Sequence, residues 1–263
     1  MADSTLPHSP FARNIDFSDE APIRSIAPEE LARILEAHEL YVESAQRSGK
    51  RANLDSTGLA RRNFAGMKLS RIHMRRADLT EADFAGADLR RALLIGATLK
   101  GGRLVAADLT RARLGGINLV EADCEGVCLA EADIEFGILA NANFRDADFH
   151  EADMSGAILD GADLSRADLR RTNLRGASFQ KTRLRGADLR DARMGGAIFT
   201  RTSFVGADLQ GAYLRGAKFH RVDLSGADLR GAQWLTREQM NSANRDADTR
   251  LPLGLIAEME DGE

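Results

Sequence analysis

The chain has 263 residues, 36 of them basic and 40 acidic, for a formal net charge of −4 that by itself points neither to nucleic acid nor to a membrane surface. Aromatic residues are scarce (Phe 11, Tyr 2, Trp 1) while 43% of the chain is hydrophobic, which excludes a core of mixed bulky shapes and suggests a narrow one built from uniform side chains. The two cysteines, Cys124 and Cys128, exclude a disulfide scaffold, lack partners at metal-ligand spacing and fit a reducing compartment.

Residues 1–22 read as a disordered segment with no basic start and apolar core of a secretory signal, and no apolar run is long enough to span a bilayer. The expectation is a soluble, cytoplasmic protein without membrane contact. Residues 23–51 carry a helix from Pro28. Proline suits a first helical position, Glu29 and Glu30 follow it, and Leu31, Ile34, Leu35, His38, Tyr41 and Val42 share one face. It reads as an N-terminal capping helix ended by Gly49, with His38 as a packed lid residue and not a ligand.

Residues 52–235 repeat with a period of five. From Leu54 to Trp234 every fifth residue is apolar, 37 in succession, of which 23 are Leu and 8 are Phe. Two residues before each stands a small residue, Ala in 25 places and Thr in 4, and between the two lies Asp or Asn in 19, as in Ala77-Asp78-Leu79 and Ala227-Asp228-Leu229. Glycine is frequent two residues after the large one. Helices repeat near 3.6 and strands at 2.0, so a strict five-residue phase would smear around either. It survives if each unit turns the chain by a fixed angle, with both residues pointing inward and successive turns hydrogen-bonded to one another.

The A-(D/N)-L-x-x pattern resembles that of the pentapeptide-repeat proteins. The resemblance implies an all-β solenoid, a right-handed quadrilateral β-helix of twenty residues per turn. For 37 units that gives about nine turns and a rod roughly 45 Å long at about 4.8 Å per turn. Arg62, Met67 and Ile72 in small-residue places predict an irregular start. Gly102 and Gly137 predict missing methyl groups inside.

Residues 236–263 form a C-terminal helix and tail. Trp234 takes the last core position and its ring is expected to close the final turn. Thr236-Arg237-Glu238-Gln239 matches a capping box for a helix to about Ala243. The apolar tail Leu251–Ile256 either folds back or pairs with a second subunit. Some members of the resembled family dimerise through their C-terminal ends, so a homodimer there is open.

Catalysis is not expected. The histidines at 8, 38, 73, 150 and 220 share no column, His150 lies near Glu151 and Asp148, and a convex rod offers no pocket. Neither a phosphate loop nor a dinucleotide or zinc signature is present, so neither cofactor nor metal is expected. Cys124 reads as a buried substitute for Leu. A column of Asp148, Asp168, Asp188, Asp208 and Asp228 is expected to bond local backbone, screened by Arg170, Arg190 and Arg230.

Charge alternates along the axis. Arg61 to Arg113 holds 12 basic and 5 acidic residues, Glu121 to Asp163 one basic and 12 acidic, and Arg166 to Arg230 14 basic and 6 acidic. The belt contains the outward apolar residues Phe136, Ile138 and Ile158, with Ile198 two turns further along, and the carboxylates Glu121, Glu131, Asp133, Glu135 and Glu151. An apolar centre rimmed by charge is what a protein-binding patch needs. The reading is therefore a non-enzymatic interaction or scaffold protein of bacterial type that presents a charged surface to an unidentified protein partner. The alternative implied by the resemblance is a DNA-mimic binder and protector of a type II topoisomerase, gyrase. It suffers from a repeat region with 24 acidic and 27 basic residues over 52–233. Direct nucleic-acid binding fits worse still, since aromatics outside the core are nearly absent.

Overall fold

The computed structural model describes residues 22–255. The expected disorder of residues 1–21 and any role of Ile256 lie outside the described residues. Helix α1, Pro28–Glu43, opens with proline at its start and two glutamates in its first turn, and it buries Leu31 and His38.

From Asn53 onward the backbone forms four parallel ladders. Asn53 bridges His73, Gly58 bridges Asp78, Asn63 bridges Asp83 and Lys68 bridges Asp88, and each row continues in steps of twenty residues along the repeat. The Leu54 N–H donates to the His73 carbonyl (2.7 Å) and the His73 N–H to the Ala52 carbonyl (3.2 Å), so each turn is bonded to its neighbours on both sides. The bridges lengthen into true strands at one place, where β1, Ile198–Thr200, pairs in parallel with β2, Lys218–His220.

Between ladders the chain turns a corner. The N–H of nearly every small residue donates to the carbonyl of the large residue three before it, as from Arg62 to Leu59 (3.2 Å). The residue between, every fifth from Ser56 to Gly231, has φ from +49° to +73°. That is the sign a type II turn demands at its third position, which explains the frequent glycine there. The Asp or Asn of most units accepts from the backbone N–H two residues on, as Asp78 Oδ1 does from Thr80 (3.1 Å). Inside, the large residues from Leu54 to Leu214 are essentially inaccessible. Rings pack along the axis, with Phe64 on Phe84 at 4.7 Å and Phe179 on Phe199 at 5.0 Å. Buried threonines satisfy themselves on carbonyls, Thr182 Oγ1 donating to Leu159 at 2.8 Å.

Three expectations need correction. The start of the repeat is regular in its backbone, since the ladders through Arg62, Met67 and Ile72 keep the twenty-residue step. Ile72 is fully buried, while Arg62 and Met67 lie at the rim of a groove beneath α1, where no preceding turn crowds the small-residue place. Gly137 leaves no hole. A Cβ there would stand 2.9 Å from Cγ2 of Ile134, the one β-branched residue in the large set, so the branch fills the methyl's place. Trp234 does not close the core. It takes φ +62°, swings its ring outward to 58% exposure and stacks edge-on to Tyr213 beneath Arg215.

Met240 fills the end instead, fully buried in helix α2, Arg237–Asn241, whose capping box joins Thr236 and Gln239 reciprocally. Beyond it, Asn244 and Arg250 bridge Asp223 and Asp228 and so extend two ladders past the repeat. Leu251 packs on the core and Leu255 is buried, so this part of the tail folds back.

The fit of Ile134 to Gly137 gives a coupled prediction. Gly137→Ala should lower stability by about 1–3 kcal/mol in thermal or urea unfolding, and Ile134→Leu in the same chain should restore most of it. His38 gives a second. Its ring is fully buried, Nδ1 accepts from the Ala52 N–H (3.1 Å), and burial holds the imidazole below its ordinary value, with Arg51 and His73 adding repulsion. The unfolded chain therefore takes up the proton that the folded one refuses. Stability at the α1 end should be complete above about pH 6.5 and fall below it by up to about 1.4 kcal/mol per pH unit. Hydrogen exchange of the Ala52 amide reads this directly, and His38→Asn, which keeps an acceptor without a titrating ring, should flatten the dependence.

Candidate interaction face

The ladders divide the outward residues into four faces separated by corners. Along three faces the central column carries repeated Asp residues: Asp123 and Asp163 on one, Asp148 through Asp228 on the second, Asp133 and Asp153 on the third. The fourth column runs Gly58, Asp78, Thr98, Asn118, Ile138, Ile158, Ser178, Ile198, Lys218, and its one carboxylate, Asp78, lies three turns before Ile138. Ile138 and Ile158 are bridged directly, and Ser178 separates Ile158 from Ile198.

Phe136 stands on the corner that opens this face, at φ +56°. The other corner residues of that column from Gly96 to Gly216 are glycines, one per turn. The ring lies over Gly156, where a Cβ would approach it to 2.6 Å, so the glycine makes room for the phenyl group along the edge. Phe136, Ile138 and Ile158 thus form one continuous apolar surface, each close to 40% exposed. Ile198 is equally exposed but separate.

The carboxylates expected around it divide. Glu135 precedes Phe136 on the same corner, and burial together with Asp153 and Asp133 raises its carboxyl above the ordinary value. Glu121 occupies the corner at the opposite edge of the face. Asp133 sits at the centre of the neighbouring face, 3.9 Å from Arg113. Glu131 and Glu151 lie one full face away, stacked on another corner and tied to Arg111 (2.8 Å) and Arg171 (3.2 Å). The latter two are not part of the patch.

Pairing of this kind neutralises much of the acidic belt. Asp146 is held by Arg166 and Asp163 by Arg183 and Arg145. The Asp column behaves as its spacing suggested. Asp168, Asp188 and Asp228 each accept a backbone N–H and the guanidinium two residues on, which holds Asp168 and Asp228 below the ordinary carboxylate range despite burial.

The reactive groups do not converge. His150 reaches Glu151 at 3.6 Å while its backbone N–H, not its ring, binds Asp148. Cys124 is buried, which pushes its thiol far up, and Cys128 faces Thr110 Oγ1 at 3.2 Å. Among the described residues no three His, Cys, Asp or Glu side chains group to hold a metal, and no helix is long and apolar enough to cross a membrane.

A family model of pentapeptide repeats matches the chain over residues 63–94, 87–126, 128–166, 162–201 and 197–233. Among solved structures the chain is similar to HetL, a pentapeptide repeat protein involved in heterocyst differentiation regulation in the cyanobacterium Nostoc sp. strain PCC 7120. Identity is 29% over 86% of this chain and 94% of that one, with a TM-score of 0.39. It is also similar to a trypsin-treated variant of QnrB1, a plasmid-mediated fluoroquinolone resistance protein, at 21% identity over 78% of this chain and 91% of that one, TM-score 0.43. A pentapeptide repeat protein from the thylakoid lumen of Arabidopsis thaliana matches at 30% identity over 45% of this chain and 68% of that one, TM-score 0.16. No curated protein matches significantly.

A phenylalanine in the left-handed region is strained by roughly 1–2 kcal/mol. Phe136→Gly should therefore leave stability unchanged or raise it by up to about 1 kcal/mol. Chemical denaturation checks this; a large loss would mean that the ring is held for the fold and not for its surface.

Proposed function

The chain belongs to the pentapeptide-repeat family, whose fold is a right-handed β-helix solenoid, and from that premise we propose a non-enzymatic interaction protein that offers one face of the solenoid to a protein partner. The observation that carries this reading is the continuous surface of Phe136, Ile138 and Ile158 on the one face whose central column is free of carboxylates from Thr98 to Lys218. An apolar centre supplies affinity when covered, and its charged edges select the partner and its register. On this reading the repeat makes about nine turns at roughly 4.8 Å each. Helices α1 and α2 serve as caps that keep the two open ends from pairing with other chains.

Protection of gyrase by DNA mimicry is the weaker reading. Mimicry of a duplex needs negative charge along the whole rod, whereas 27 basic residues face 24 acidic ones over 52–233. Several belt carboxylates are, besides, already bound to arginines.

The test is affinity capture with tagged protein beside Ile138→Arg. The variant should keep its thermal stability to within about 0.5 kcal/mol, because it alters only an outward side chain. It should lose the partner held by the wild type. Capture that is identical with both proteins removes the patch assignment.

A further inference from the structure

We propose that the surface covering the Ile138 face is the same face of a second copy of this chain, packed antiparallel about a two-fold axis. The proposal rests on the reading of that face as the docking surface and names its occupant.

The argument comes from how charge is distributed on the edges of this face. The corner column at the edge opposite Phe136 opens with Arg61 and Glu81, paired to each other at 2.8 Å, and Gly101, and then reads Glu121, Asn141, Gly161, Lys181, Arg201, Arg221 in steps of one turn. From Glu121 on it is acidic at one end and basic at the other. Among the described residues none of the four charged residues from Glu121 on makes an ion pair, in contrast to Glu131 and Glu151 on the other side of the rod. A face that is apolar along its middle and oppositely charged at its two ends is self-complementary when two copies run antiparallel.

The register follows from the twenty-residue step. A two-fold axis lying in the plane of the face and perpendicular to the rod reverses the order of turns and keeps each edge against the same edge of the partner. Set midway between Ile138 and Ile198, it places Ile138 on the partner's Ile198. The same axis sets Glu121 opposite the partner's Arg221, because both pairs are centred on the same turn. Phe136 then meets the partner's Gly196, a corner without a side chain to obstruct the ring. Each of these contacts occurs twice. A parallel pairing would oppose unlike edges, setting Glu121 against the partner's Gly116 and leaving the edge charges unmatched.

The other route to a dimer, through the C-terminal end, has less to offer. Asn244 and Arg250 already bond the last turn at two of its ladders, and Gln239 Nε2 donates to the Ala217 carbonyl (2.7 Å).

The test uses the purified full chain in sedimentation equilibrium. A single face of such a rod sits at the low end of stable interface sizes, so concentrations of about 10–100 μM are appropriate. The wild type should be dimeric and Ile138→Arg monomeric. Glu121→Arg and Arg221→Glu should each weaken the dimer about tenfold or more, since like charges then face each other in both copies of the contact. Mixing these two variants should restore it, because each contact of the mixed dimer again pairs arginine with glutamate. A wild type that stays monomeric overturns self-pairing, and leaves the docking reading standing where Ile138→Arg still loses a different protein. A dimer untouched by Ile138→Arg removes this face from both readings. Dimerisation that the mixture fails to restore overturns the antiparallel register.

Discussion

Everything in this molecule depends on the hydrogen-bonded register that ties each residue to the one twenty positions on. With Leu54 donating to His73 and His73 to Ala52, no five-residue unit can gain or lose a residue without stripping both neighbouring turns of their bonds. That rigidity lets corners such as Arg61, Arg71 and Phe136 persist in the left-handed region at a cost of about 1–2 kcal/mol each. Two layers of ladder bonds over-determine the backbone there, and the local preference of a single residue is overruled. The same rigidity fixes where every outward side chain stands.

Because the register is exact, much of the fold can be worked out on paper. The five-residue phase separates inward from outward positions, and division by twenty assigns each outward residue to a face; the predicted column of Asp148 to Asp228 is the column observed. What period alone misses is shape. Ile134 sits at a position shared with leucines, and nothing in the phase tells that its β-branch takes the space of the methyl absent from Gly137. Trp234 keeps the phase perfectly and still leaves the core. The turn after it gives way to α2, and Met240 and Gln239 reach the end of the tube first. Arg62 and Met67 break the pattern without disturbing the backbone, because at their positions α1, and no earlier turn, lies outside the first turn.

The apolar patch was legible for the same arithmetical reason, and its rim was not. Ile138 and Ile158 differ by twenty and must be neighbours. The acidic belt is a zone of sequence, whereas neighbours in sequence turn a corner every five residues. Glu131 and Glu135 belong to one zone and to different corners of the rod. Sorting the belt by column separates Glu121 and Glu135, which flank the patch, from Glu131 and Glu151, which do not. The glycines of the Phe136 corner carried the complementary signal in the sequence, a twenty-residue row of absent side chains.

Sorted in this way, charge on the rod falls into two kinds. Pairs formed within a unit, such as Arg170 with Asp168, and between adjacent turns of one corner, such as Arg111 with Glu131, are complete within the chain. Exposed pairs of this sort add little stability each, and they cancel one another's field at a distance. The charges that project a field are those left over. Glu121 at one end of the Ile138 face and Lys181, Arg201 and Arg221 at the other are of this second kind. Net charge, belt by belt or over the whole chain, averages the two kinds together. What an approaching surface meets is the unpaired set, and on this face it is a dipole laid along an apolar strip.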